Sequence, residues 1–280
     1  MAGETRIRSN RLRPPSGVHS APLGKHFFFR PRRLTMFSTP TVTLQQARLV
    51  PPSPAGPQKP VADAKAREVA NYLKKWRTVQ DVARAFAGWY NINDVRRFVA
   101  YMARQYRQDG LLRYAEPPRE EREERLYFAV MVWLNKRIIE GQYDDALGDL
   151  YMAVGYPNKD AGQFFTPYPL ARLVAEMQMP DTRAEAKAIA RTNPEGKMTV
   201  VDPACGSGVM LCAAWEVALQ RGYDDLVALY GQDIDPYCVT MTRINLIMRQ
   251  ELTALRRGAE QIQVIQMLEA IVHGDTLEEK

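Results

Sequence analysis

MTVVDPACGSGVMLCAAWEVAL, residues 198–219, decides the fold. Met198–Val201 is a short apolar, β-branched run closed by Asp202-Pro203, the pattern of a strand buried on both faces. Gly206 and Gly208 follow, and an apolar segment then reads as a helix to about Leu219. A strand, a glycine turn and a helix make the first half of a nucleotide-binding unit. Glycine is needed in such a turn because the backbone must bend tightly and approach a ligand closely.

The unit continues downstream. Leu229–Ile234 reads as a second strand ending in GQDID. An acid at the end of a second strand can accept both hydroxyls of a ribose, which singles out Asp233. Asp235 and Pro236 read as the N-cap and first turn of the next helix. Ala270–His273 reads as a third short strand ending in HGDTL, which puts Asp275 where it can accept from an adenine amine. The expected fold is α/β and Rossmann-like, with a sheet that stops after its third strand. His273 reads as a strand residue and Cys205 as a small packing residue.

Upstream, a helix over about 119–140 is charged at its start and apolar through Leu126, Ala129, Val130, Trp133 and Leu134. Residues 61–115 carry three successive amphipathic periods: Val69, Tyr72, Leu73 and Trp76; then Val79, Val82, Ala83 and Phe86; then Val95, Phe98, Val99 and Met102. Thr78 with Asp81 has capping-box spacing, and Asn93 is placed to cap the third helix. Asp109-Gly110 ends that helix, and Leu111–Tyr114 reads as a short strand. The stretch TVQDVARAFAGWYNINDVRRFVAYMARQYRQDGLLRYA resembles a winged helix-turn-helix, whose third helix enters the major groove. That resemblance implies DNA contacts from Arg96, Arg97, Tyr101 and Arg104, with Gln105 and Gln108 on the same face. The competing reading is a helical packing domain with a wet polar face.

Charge divides the chain. The net +6 is made of +7 over residues 1–35, +2 over 36–60, +6 over 61–115 and −9 over 116–280. Residues 1–60, rich in Arg, Pro and Ser, read as a disordered tail that cannot bury enough apolar surface to offset its ordering. A plain solvated tail, or a start at Met36, is the favoured reading. A basic nucleic-acid arm and a transit peptide are the alternatives. Three boundaries follow: a tail over 1–60, a helical module over 61–115 and a cofactor-binding body over 116–280. Apolar runs such as Phe128–Leu134 fall far short of a membrane span, no charged-then-apolar leader opens the chain, and a cytoplasmic protein is expected. Three cysteines without metal-ligand spacing suggest neither a disulfide scaffold nor a metal site.

GQFFTP, DPACGSG, GQDIDP and GDTL, in that order, resemble the adenine-N6 DNA methyltransferases of the γ arrangement, and within them the modification subunit of type I restriction systems. The likeness covers about residues 119–280. It implies S-adenosylmethionine as cofactor. Phe164, Phe165 and Thr166 would line its methionine end. Asp202, Ala204, Gly206 and Gly208 would form the loop under its amino acid moiety. Asp233 would hold the ribose, Ile234 would pack on the adenine, and Asp275 would bind the adenine amine. Double-stranded DNA is the implied partner.

The family also holds the target adenine with an Asn/Asp-Pro-Pro-aromatic tetrapeptide, which makes the flipped amine a better nucleophile. No such tetrapeptide follows Asp275. Glu116-Pro117-Pro118-Arg119, Asn193-Pro194-Glu195 and Val50-Pro51-Pro52-Ser53 each have the wrong residues. The catalytic residues are therefore unassigned. The function expected is a restriction-modification adenine methyltransferase or its cofactor-binding portion, with a second polypeptide supplying target recognition or the missing half. The alternative is a non-catalytic regulator or decoy that binds S-adenosylmethionine and DNA. With no fourth strand, Thr199–Asp202 is expected to present an unpaired edge, or one covered by another segment or chain.

Overall fold

A computed structural model describes residues 42–43, 59–86, 92–108, 110–112, 115–142, 144–154, 164–256, 261–262 and 270–275. Most of the expected tail lies outside the described residues. Within them run β1 (Val42–Thr43), α1 (Lys59–Lys75), α2 (Val79–Ala85), α3 (Ile92–Gln105), α4 (Glu121–Ile139), α5 (Ala146–Val154), α6 (Tyr168–Gln178), α7 (Arg183–Ala190), β2 (Met198–Asp202), α8 (Val209–Gln220), β3 (Val227–Asp233), α9 (Pro236–Arg256), β4 (Gln261–Ile262) and β5 (Ile271–His273). β1 and β4 form a two-residue antiparallel pair.

The strand–glycine turn–helix unit is present. β2, β3 and β5 form a parallel sheet in that spatial order. Parallel neighbours need a crossover, and α8 and α9 supply the two. Both helices pack on the face carrying Met198, Val227, Leu229 and Ile271, the buried positions of the alternating pattern. The other face carries Thr199, Val201, Ala228 and Tyr230 in register. Val201 there is 63% exposed. Parallel sheets are ordinarily covered on both faces, so this one is half finished among the described residues. β2 is an outer strand, with no strand on its far side among those residues.

α9 separates two apolar cores. Cys238, Met241, Ile244 and Met248 face a cluster built from α1 to α5, while Val239 and Leu246 face the sheet cluster. A helix buried on both flanks must be apolar around much of its circumference, and α9 is. The first cluster runs without a break from Trp76 and Val82 through Phe98 to Tyr127, Leu150 and Met241. One core therefore crosses residue 115.

The capping box at α2 forms as read: Asp81 N–H donates to Thr78 Oγ1 (3.2 Å) and Thr78 N–H to Asp81 Oδ2 (2.9 Å). Two local expectations differ. Asn93 falls inside the first turn of α3 instead of before it. Gly110–Leu112 form a turn, not the start of a strand. Leu112 is buried in the helical core, which takes up the apolar side chain that suggested a strand.

Candidate functional site

The carboxyl ends of β2, β3 and β5 gather the chemistry. The turn after β2 is drawn tightly onto β3. Gly206 N–H donates to Asp233 Oδ2 (2.8 Å), and Cys205 N–H donates to the Gln232 carbonyl (2.9 Å). Gly206 sits at φ +54° and Gly208 at φ +86°, left-handed conformations that a side chain resists. Space is also short at both, most of all at Gly208. A Cβ on Gly206 would lie 3.1 Å from the Phe165 ring, and one on Gly208 would lie 2.8 Å from Thr242 Cγ2. Thr242, on α9, donates from its hydroxyl to the Gly206 carbonyl (3.0 Å).

Asp233 uses both carboxylate oxygens on backbone. Oδ1 accepts from Asp235 N–H (2.9 Å) while Oδ2 holds Gly206. Asp235 caps α9 as read, accepting from Tyr237 N–H at 2.8 Å. Asp202 accepts from Ala204 N–H (3.1 Å). Burial pushes the Asp202 carboxyl up, and the charge of Asp233 adds to the shift. Those two acids therefore feel each other across the loop. Gly274 N–H donates to the Asp233 carbonyl (3.0 Å), which ties the end of β5, and Asp275 beside it, to the same edge.

Apolar groups flank the acids. Ile234 is 64% exposed immediately after Asp233, and His273 Nε2 lies 2.8 Å from its carbonyl oxygen. Phe165 stacks on Tyr151 with ring centroids 5.7 Å apart and covers the Gly206 turn. Phe164 is 72% exposed beside it, and Thr166 is half-buried. Cys205 is buried, with its Sγ 3.4 Å from the Thr242 hydroxyl oxygen. Burial pushes its thiol up to about 12, which suits the packing role read for it.

The structure gives the residues expected to contact DNA other work. α3 is enclosed by α4, α5 and α9 along most of its length. Tyr101 is only 7% exposed. Arg96 bonds Asp235 (3.3 Å) and lies 4.7 Å over the Tyr237 ring. Arg97 pairs with Glu116 and donates to the Pro117 carbonyl (3.0 Å), and Arg104 donates to the Ala115 carbonyl (2.5 Å). On this face Arg96, Arg97 and Arg104 are half-buried and each is paired within the chain, while Gln105 is exposed. The amphipathic period showed which side of α3 is apolar. It could not show that arginines on the other side are tied down by partners 11 to 139 residues away.

Sequence reading also missed a buried set behind the loop: Asp145, Ser207, Asn245, Arg249 and Glu216. Asp145 before the apolar start of α5 has the local signature of an N-cap, and Gly148 N–H does donate to it (3.0 Å). Nothing local announces its other partners.

A profile of the family described as N-6 DNA Methylase matches residues 142–279, the span that contains every one of these strand-end residues. Residues 142–279 belong to the N-6 DNA methylase family. Proteins similar to this chain include the MjaIX methylase subunit of a type I restriction enzyme from Methanocaldococcus jannaschii, 33% identical over 92 residues, 32% of this chain and 14% of the relative. The MjaVII methylase subunit from the same organism is 26% identical over 180 residues, 63% of this chain and 27% of the relative. The chain thus spans about a quarter or less of the length of these relatives. A crystal structure of a type I restriction-modification methyltransferase subunit from Streptococcus thermophilus overlays 66% of this chain and 36% of its own at 18% identity, with a TM-score of 0.30. No helix among the described residues is long and apolar enough to cross a membrane.

Proposed function

We propose that this chain is the S-adenosylmethionine-binding part of a DNA adenine-N6 methyltransferase of type I restriction-modification character. The observation that carries the reading is the charge of the strand ends. Asp202 and Asp233 flank a loop whose Gly206 amide is already bonded to Asp233, and Asp275 follows Gly274, which is tied to the Asp233 carbonyl. A dinucleotide would bring a pyrophosphate anion against these carboxylates. S-adenosylmethionine instead brings a sulfonium, an ammonium, two ribose hydroxyls and an adenine amine, which are cations and donors, with a single carboxylate as its only anion. An acceptor-rich site fits that ligand and disfavours the other.

The residues present have the right chemistry for its parts. Asp233 keeps lone pairs for ribose hydroxyls beyond the two it gives to backbone amides. Exposed Ile234 offers an apolar surface for the adenine ring, and Asp275 an acceptor for its amine. Asp202, Ala204, Gly206 and Gly208 form the turn for the amino acid moiety, with Phe164, Phe165 and Thr166 on the methionine side. When bound, the cofactor supplies an electrophilic methyl group. This chain's residues bind and orient it and keep the turn rigid. DNA and a second polypeptide that carries target recognition are the proposed partners, the type I likeness being the support for both.

Calorimetry with S-adenosylmethionine tests the reading. The wild-type chain should bind it, and Asp233→Ala should weaken binding by about a hundredfold or more, on the order of 3 kcal/mol, because two charged-acceptor hydrogen bonds and a loop anchor go together. Absence of binding by a folded wild-type chain sinks the assignment. Tritiated cofactor with mixed-sequence DNA then separates a complete enzyme, which labels the DNA, from a cofactor-binding portion, which binds without transfer.

A further inference from the structure

Asp145, in the connection between α4 and α5, is buried and uses both carboxylate oxygens. Oδ2 accepts the hydroxyl of Ser207. Oδ1 accepts Gly148 N–H at 3.0 Å and Asn245 Nδ2 at 3.1 Å. Asn245 Nδ2 also donates to the Ser207 carbonyl at 2.8 Å, so Ser207 is gripped at its side chain and its backbone. Behind this, Arg249 bonds Glu216 Oε1 (2.6 Å), the Asn245 carbonyl (3.3 Å) and the Asp144 carbonyl. Tyr168 donates to the second oxygen of Glu216. A Cβ on Gly148 would lie 2.1 Å from Asp145 Oδ2 and 2.8 Å from Ser207 Oγ, so α5 approaches the loop as closely as glycine allows.

Capping α5 alone would need one exposed oxygen. Taking a carboxyl out of water is costly unless each oxygen is bonded, and here the bonds reach 62 residues along the chain to the loop and 100 to α9. Ser207 stands between the two left-handed glycines, Gly206 and Gly208. Fixing it fixes the Gly206 amide on Asp233 and the turn that starts α8.

We infer that Asp145 is a positioning residue for the cofactor loop: acting through Ser207 and Asn245, it holds the Gly206–Gly208 turn in its binding conformation, so that helix α5 sets how well the loop takes its ligand. The identity of that ligand rests on the function proposed above. The clasp itself does not.

Two readouts on the full chain test this. Amide exchange at residues 206–208, followed by NMR without ligand, should quicken about tenfold in Ser207→Ala and in Asp145→Asn, while amides 213–217 inside α8 keep wild-type rates. The affinity for S-adenosylmethionine should fall about tenfold in each, and the double variant should be no worse than the poorer single, because both break one contact. Loop amides unchanged in Ser207→Ala overturn the inference. So does a uniform quickening across the loop and α8, which would mark general destabilisation, and so does full additivity in the double variant. If Asp145→Asn fails to fold, Ser207→Ala decides alone. A wild-type chain that binds no S-adenosylmethionine removes the ligand assignment, and the exchange comparison still decides the clasp.

Discussion

At the scale of single residues, two positions carry consequences that measurement can reach. Gly208 combines φ +86° with a wall of Thr242 atoms 2.8 to 3.0 Å from any Cβ. Gly208→Ala should therefore lower the unfolding free energy by about 1–2 kcal/mol for the backbone alone, and by more for the displaced threonine, in a urea titration. Asp145 is the second. Burial pushes its carboxyl up to about 7; the Ser207 hydrogen bond and Arg249 pull it back, and Asp149 adds to the rise. A native value above the unfolded one means that the folded chain holds a proton the unfolded chain has released. The resulting stabilisation is complete below about pH 4 and is lost as pH rises through about 7, with a slope of at most about 1.4 kcal/mol per pH unit between those limits. Unfolding titrations at pH 5.5, 6.5 and 7.5 should show this component in the wild type. Asp145→Asn, which cannot titrate, should lack it, and identical slopes would show that the carboxyl keeps an ordinary value.

At the scale of elements, the sheet is the place where sequence and structure agree best. The β2 turn, Asp233 at the end of β3 and Asp235 at the cap of α9 were legible because each is a local pattern: a strand, its glycines, an acid at a fixed place. α3 was legible only in half. Its apolar period predicts a helix correctly, yet the arginines of its polar face are half-buried and paired with Asp235, Tyr237, Glu116 and two backbone carbonyls. An arginine bound for solvent and one bound for a distant carboxylate look the same in sequence. Ser207 and Asp145 were missed for the same reason: a serine in a glycine turn and an aspartate before a helix both have sufficient local explanations. Strand order makes an element-level prediction as well. β3 lies between two neighbours while β2 has one. Amides 199–202 should exchange faster than amides 227–231, and equal protection would mean that another segment covers the outer edge of β2.

At the scale of the whole molecule, the shared core around α9 sets the cooperativity. Trp76, Val82 and Phe98 are buried in the same cluster as Met241 and Ile244. A peptide spanning residues 59–115 is therefore expected to show no cooperative thermal transition by circular dichroism, because its apolar faces have lost α4, α5 and α9. A sigmoidal melt from that peptide would show a module able to stand alone. The positive charge noted over 61–115 belongs, in part, to arginines that bond the helical layer to itself and to α9, so net charge is a poor guide to what this layer touches. The half-covered sheet bears on the fate of the chain in a cell. Exposed apolar strand surface such as Val201, on a strand that is outermost among the described residues, is the kind of surface that chaperones and proteases engage. The amount of this protein that accumulates should then follow the supply of whatever closes that surface, and synthesis beyond that supply should end in turnover or insoluble deposits.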